Sequence, residues 1–411
     1  MTTPWTDLPT HRAWLDAECR RLLAFGRDVV HPAGGAAYLG DDGTPEPGRG
    51  VQTWITARTV HVYSLGAMLG VPGSATIARG ALAGLTGVLR DAEHGGWFHA
   101  VAADGTPDTA AGKSCYDHAF VVLAASSATL AGLPGGRELL DEATGVLLDR
   151  FWDEDEGRCV DTWDAAFTTL DEYRGLNANM HAVEAMLAAA DALDDPAWRG
   201  RAARIAELVA ALAAGHDGRL PEHFGPDWTP QPDLNRDRPD DQFKPFGATV
   251  GHGLEWARLL VELEAALGDQ ADPALRPTAV ALFDRAVTDG WSVDGADGFV
   301  YTTDWDGTPV VRDRMHWVAA EAVSAADALH RATGEERYAA LYATWWDWVA
   351  VHLVDVAQGS WFHQLDARNR PAGDVWPGKP DLYHAVQATL LPRAPLAPAL
   401  ARAARDGLVA G

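Results

Sequence analysis

The sequence predicts an all-α fold, an (α/α)6 toroid with short β-hairpins and long loops over one mouth. Three observations lead there: a histidine that recurs at the head of helix-patterned runs, a glycine that recurs between them, and a length of about six such units. The histidines stand in Asp117-His118-Ala119-Phe120, Met180-His181-Ala182-Val183, Gly251-His252-Gly253-Leu254, Met315-His316-Trp317-Val318 and Tyr383-His384-Ala385-Val386, with spacings of 63, 71, 64 and 68 residues. Helical pairs that stack and close into a ring bring the heads of their inner helices to one cavity. The markers Gly96, Gly157, Gly218, Gly298 and Gly359 are 61, 61, 80 and 61 residues apart. A 411-residue chain divided by a repeat of about 65 holds roughly six units, the first centred on Trp54-Ile55-Thr56-Ala57-Arg58.

Each unit reads as hairpin or loop, inner helix, connection, outer helix. Gly95-Gly96-Trp97-Phe98-His99 followed by Asp104-Gly105-Thr106-Pro107 is one hairpin signal, because glycine accepts the positive φ of a tight turn. Inner helices are expected to begin near residues 56, 118, 181, 252, 316 and 384. Outer helices are read at Ala202 to Ala214 and at Glu336 to Val351, where Trp345, Trp346 and Trp348 are expected to be packing residues. Pro221 to Pro245 holds six prolines and is expected to form a long loop over the mouth. No interdomain linker stands out, so residues 1–411 are read as a single domain.

Hydrophobic residues make up 47% and charged residues 22%, enough apolar surface for a sizeable core. A formal charge of −25 would repel a nucleic-acid backbone, and the two long uncharged runs, residues 59–78 and 118–136, are interrupted by Gly, Pro and polar residues and are not read as membrane spans. Three cysteines without a CxxC pair argue for a reducing compartment, so a cytoplasmic protein with neither nucleic-acid nor membrane partners is expected.

His181 with Glu184, and His252 with Glu255, place a carboxylate one helical turn after an imidazole. Either Glu255 holds or polarises His252, or each pair is an ordinary buried His–Glu hydrogen bond. The His-Glu-x-x-His motif, the phosphate-binding glycine loops and the Gly-x-Ser-x-Gly elbow are all absent, so no metal and no cofactor are expected. Aromatics lie beside polar residues, as Trp54 near Arg58, Tyr116 near His118, Trp317 after His316 and Tyr383 before His384. Such mixtures suit a sugar, whose C–H faces stack on rings while its hydroxyls take hydrogen bonds. An (α/α)6 glycoside hydrolase using Glu184, Glu255 or Asp381, and a sugar-binding protein without catalysis, are the other readings.

The stretches Arg174-Gly175-Leu176-Asn177-Ala178-Asn179-Met180-His181-Ala182-Val183-Glu184-Ala185, Gly251-His252-Gly253-Leu254-Glu255-Trp256 and Arg314-Met315-His316-Trp317 resemble the N-acylglucosamine 2-epimerase superfamily of sugar isomerases and epimerases. Gly378-Lys379-Pro380-Asp381-Leu382-Tyr383-His384-Ala385-Val386-Gln387 is similar to its branch of D-mannose and sulfoquinovose isomerases. The resemblance, which runs from about Trp54 to Gln387, implies metal-free interconversion of an aldose and its 2-ketose through a cis-enediol. D-Mannose and D-fructose are the first expectation, with sulfoquinovose isomerisation or 2-epimerisation as alternatives. By resemblance, His252 and His384 would be the acid/base pair, and Arg58, Tyr116, Asn177, His181 and Glu255 would contact the sugar or position the pair. Trp54, Trp317, Phe243 and Gln364 are further substrate contacts implied in the same way.

Overall fold

The computed structural model describes residues 3–411. Its helices are α1 (Pro9–Phe25), α2 (Thr53–Met68), α3 (Ser74–Thr86), α4 (Cys115–Leu130), α5 (Gly136–Val146), α6 (Leu176–Leu193), α7 (Ala197–Gly215), α8 (Val250–Leu267), α9 (Leu275–Gly290), α10 (His316–Thr333), α11 (Glu336–His352), α12 (Tyr383–Leu390) and α13 (Leu400–Arg405). Even-numbered α2 to α12 form the inner ring of an (α/α)6 toroid and begin zero to five residues ahead of the expected starts.

The two layers differ in pattern for a physical reason. Inner helices touch protein on every side, so α2 is buried without interruption from Thr53 to Gly66. Outer helices bury one stripe only, as α7 does with Trp198, Ala202, Ile205, Ala206, Val209 and Ala213 at helical spacing.

The sixth pair departs from the inner-then-outer order. Its inner helix is α12, and the outer helix against it is α1, from the other end of the chain. An aromatic seam joins α1 to α11: the Trp346 ring lies 5.3 Å from Trp14 and 5.9 Å from Trp361, and His11 Nε2 is 2.9 Å from the Tyr342 hydroxyl. Truncating a buried indole typically costs about 3–5 kcal/mol, so this seam is a principal closure of the ring. The tryptophans of α11 are packing residues, as expected.

Short strands staple the units together at the mouth. The residues just before one inner helix pair with the hairpin of the next unit: Val51 with Val101, Lys113 with Trp163, Arg174 with Phe224, Ala248 with Thr303 and Arg314 with Leu365. The last staple closes the circle, with Lys379 N–H donating to the Leu39 carbonyl at 3.0 Å. All five marker glycines have φ between +70° and +117°, where a side chain would be strained. Among the described residues, no helix is long and apolar enough to cross a membrane.

Candidate active site

At the mouth, the heads of the inner helices surround a cavity of about 560 Å3. Arg58 from α2, Tyr116 from α4, Asn177 and His181 from α6, His252 and Glu255 from α8, Trp317 from α10 and His384 from α12 line it together. Phe243 reaches it from the proline-rich loop, as do Gln242 and Pro245. Nine of the eleven residues named from the sequence thus meet in one place.

The other two do not line it. Trp54 is buried behind Arg58, whose guanidinium lies 5.1 Å from its ring, and it packs edge-on to Phe243 and Trp376. Gln364 is fully buried and fully bonded: it donates to Asp313 at 2.7 Å and accepts from the backbone N–H of Val375 and Trp376 at 2.9 and 3.0 Å. Its amide therefore fixes the loop that carries Trp376 to the cavity.

Only four of the five repeated histidines converge. His118 sits three residues into α4 and points beneath its own hairpin, where Nδ1 donates to the Ser114 carbonyl at 2.7 Å and Nε2 accepts from Trp97 N–H at 3.2 Å. A Cβ on Gly96 would lie 2.7 Å from that Nε2, so the hairpin glycine makes room for the ring. Both nitrogens are saturated, and His118 holds the hairpin.

His384 and His252 both lie against the Trp317 ring, with centroids 5.8 and 5.2 Å from it. Gly251 permits this approach, because a Cβ there would lie 2.3 Å from the indole. His384 Nδ1 is hydrogen-bonded to Glu321 at 2.8 Å, and Glu321 accepts from Arg258 Nε at 2.9 Å. Burial opposes charge on Glu321, but Arg258 and His384 hold it below the usual carboxylate range. With a charged acceptor at Nδ1, His384 carries its hydrogen there and presents Nε2 as a lone pair.

The pairing of His252 with Glu255 read from the sequence is corrected by the structure. The carboxylate beside His252 is Glu222, from the neighbouring hairpin, whose Oε1 lies 3.0 Å from Nδ1 but off the line of a hydrogen bond. Glu255, one turn along α8, instead turns toward His181 Nδ1 at 3.8 Å and Arg258 at 3.7 Å. Burial, reinforced by the charge on Glu321, pushes Glu255 well above the usual carboxylate range. Burial likewise lowers His181 to about 4.

Arg58 is the cation of the cavity wall. It donates to Asp381 at 2.5 Å and to the Tyr116 hydroxyl at 2.9 Å. Around it, Asn177 Oδ1, His181 Nδ1, Glu255 Oε1, His316 Nε2, His363 Nε2 and Trp376 Nε1 are buried polar atoms without a hydrogen-bond partner among the described residues. Leaving such groups unpaired costs on the order of 1–3 kcal/mol each, so their concentration marks a place built for a polar ligand.

Sequence reasoning missed Glu222 and Glu321 as histidine partners, and His316, His363, Tyr301 and Trp376 as lining residues. His316 was visible as a member of the repeat. Glu222, thirty residues before His252 in the hairpin that precedes its helix, had no local signal.

Among the described residues, two clusters have donor atoms close enough to hold a metal ion: His181, Glu184 and Glu255, and Glu255, Glu321 and His384. Arg258 stands between them, 2.9 Å from Glu321 and 3.7 Å from Glu255.

This ring of helices is shared with solved structures of a sugar isomerase and of sugar epimerases. The chain belongs to the N-acylglucosamine 2-epimerase (GlcNAc 2-epimerase) family, whose model it matches over residues 34–388. A D-mannose isomerase of Thermobifida fusca is 55% identical over 403 residues, covering 98% of each chain. Another D-mannose isomerase, from Pseudomonas cannabina pv. alisalensis, is 45% identical over 404 residues, covering 97% of this chain and 96% of the relative. A crystal structure of D-mannose isomerase superposes with a TM-score of 0.85 at 28% identity, covering 92% of this chain and 96% of that one. The protein is an enzyme of this isomerase and epimerase family.

Proposed function

We propose that the protein is a metal-independent aldose–ketose isomerase that interconverts D-mannose and D-fructose through a cis-enediol. The observation that carries this reading is the pair of carboxylate-backed imidazoles, His384 and His252, facing one cavity beside Trp317.

In the open-chain aldose, His384 Nε2 takes the proton from C2 while the carbonyl oxygen O1 gains one, the task of His252. The cis-enediol then loses the O2 proton and gains a proton at C1, giving the 2-ketose with no net change in protons. Imidazole suits both directions because its ordinary pKa of about 6.5 lies near working pH. Arg58 and Tyr116 supply hydrogen bonds to the oxygens on which charge develops.

A neutral sugar fits the charge of the wall better than a sulfonated one. Arg58 is the only Lys or Arg among the described lining residues, and Asp381 already neutralises it. The position of Arg258 between the two carboxylate clusters supports catalysis without a metal ion.

One experiment tests the reading: D-mannose in D2O with EDTA, followed by NMR. Fructose labelled at C1 is expected first, with glucose late or absent. Glucose forming first, with no fructose, would make the enzyme a 2-epimerase. Conversion of a sulfonated aldose alone would move the substrate, and loss of turnover in EDTA restored by one divalent ion would overturn the metal-free mechanism.

A further inference from the structure

Two histidines of the cavity wall have no part in this proton transfer. His316, the first residue of α10, and His363, from the hairpin before α12, stack with ring centroids 3.9 Å apart and planes 11° apart. Both are almost fully buried, and both line the cavity. His316 Nδ1 lies 3.2 Å from the backbone carbonyl of His363. A carbonyl only accepts, so this nitrogen carries the hydrogen and leaves Nε2 as a lone-pair acceptor. Neither Nε2 has a hydrogen-bond partner among the described residues. Burial takes His316 down to about 3 and, together with the neighbouring His316, holds His363 well below the ordinary imidazole range. The stack is therefore neutral near neutral pH.

Packing alone does not call for imidazoles here. Phenylalanine would stack as well, without leaving a buried nitrogen unpaired on each ring at a cost on the order of 1–3 kcal/mol. The stack also stands next to the reacting end, with His316 edge-on to His384 at 6.4 Å between centroids. Two neutral nitrogens side by side match two neighbouring hydroxyls, each of which can donate one hydrogen and accept another.

We propose that the His316–His363 stack binds the C3 and C4 hydroxyls of the substrate, the pair next to the reacting carbons, and thereby selects which aldoses enter. This rests on the sugar-isomerase reading above and adds two specificity-determining residues to it. The stack reads hydroxyls and moves no proton.

The test is a cycle of side-chain and substrate deletions. kcat/KM is measured for the wild type, His316→Phe and His363→Phe with D-mannose and its 3-deoxy, 4-deoxy and 6-deoxy forms. With mannose, each Phe variant should lose about three- to tenfold, mainly in KM, the range of one buried neutral hydrogen bond. The wild type should lose a similar factor on the 3-deoxy or 4-deoxy sugar, and the matching Phe variant should lose nothing further on that sugar. The 6-deoxy form should affect wild type and variants alike. His363→Asn, which keeps a polar group, should recover part of the loss. Equal losses on all four sugars, as expected of a mere packing pair, would overturn the proposal, as would unchanged kcat/KM or coupling confined to C6. Should a Phe variant fail to fold, judged by its thermal melt, the Asn and Gln variants carry the same cycle. A wild type inactive on mannose would instead refute the substrate reading, and the cycle would then use deoxy forms of whichever aldose is converted.

Discussion

His384 and His252 face the same cavity, yet the protein supports them differently. Behind His384 runs a continuous chain of polar side chains: Glu321 at 2.8 Å, Arg258 at 2.9 Å beyond it, then Glu262 at 3.1 Å. Behind His252 stands Glu222 alone, with neither oxygen hydrogen-bonded by the described residues. One imidazole has a fixed tautomer and orientation, and the other has a carboxylate close by and room to realign. This difference suits a division of labour in which the first removes the carbon-bound proton and the second exchanges protons with oxygen.

The largest effects should come from the imidazoles themselves. His384→Ala and His252→Ala are each expected to lower kcat by at least about a hundredfold with the fold intact, the low end for a general acid or base. Steady-state rates with far-UV circular dichroism check this. Solvent-deuterium exchange at C2 sharpens the comparison: it should vanish in His384→Ala even when measured over hours. Near-normal turnover in a folded His384→Ala protein would remove it as the base.

Next in size are the carboxylates. Glu321→Gln removes the charge that fixes His384 and leaves Arg258 uncompensated, and should cost roughly ten- to a hundredfold in kcat with little change in KM. Glu222→Gln should cost less, about tenfold or below, because the contact it replaces is off-line. The reverse order, measured side by side at one pH, would break the asymmetry and make His252 the better-oriented group.

The toroid was readable because its signal is repeated and local: glycines with positive φ, histidines at helix heads, and one-sided outer helices recur at nearly constant spacing. Most of the cavity followed from it, since a ring brings the heads of its inner helices together. What escaped was contact between residues far apart in sequence. Glu222 meets His252 from the hairpin ahead of α8, and Glu321 meets His384 from the preceding inner helix, neither at a sequence separation that helical periodicity encodes. His118 misled for the opposite reason. It has the right spacing, but it lies two residues, about 200° of helix, past the cavity-lining Tyr116, so its ring turns under Gly96 instead of into the cavity. His118→Leu should accordingly lower Tm while leaving KM unchanged in the protein that remains folded, which melting and Michaelis curves would separate.

The smallest predicted effect lies at the far end of that polar chain. Burial raises Glu262 to about 7 from an ordinary 4.5, despite the pull of Arg258. Between those two values the folded protein holds a proton that the unfolded chain has released, so stability falls as pH rises through that window and stays lower above it. Glu262→Gln has no charge to bury at any pH. At pH 5 its Tm should match the wild type, and by pH 8 it should lie higher, by about 2 °C for a chain of this size. A Tm difference independent of pH would mean that Glu262 is already ionised in the fold. The charge behind His384 would then include two carboxylates on Arg258, and the contrast with the solitary Glu222 behind His252 would be greater still.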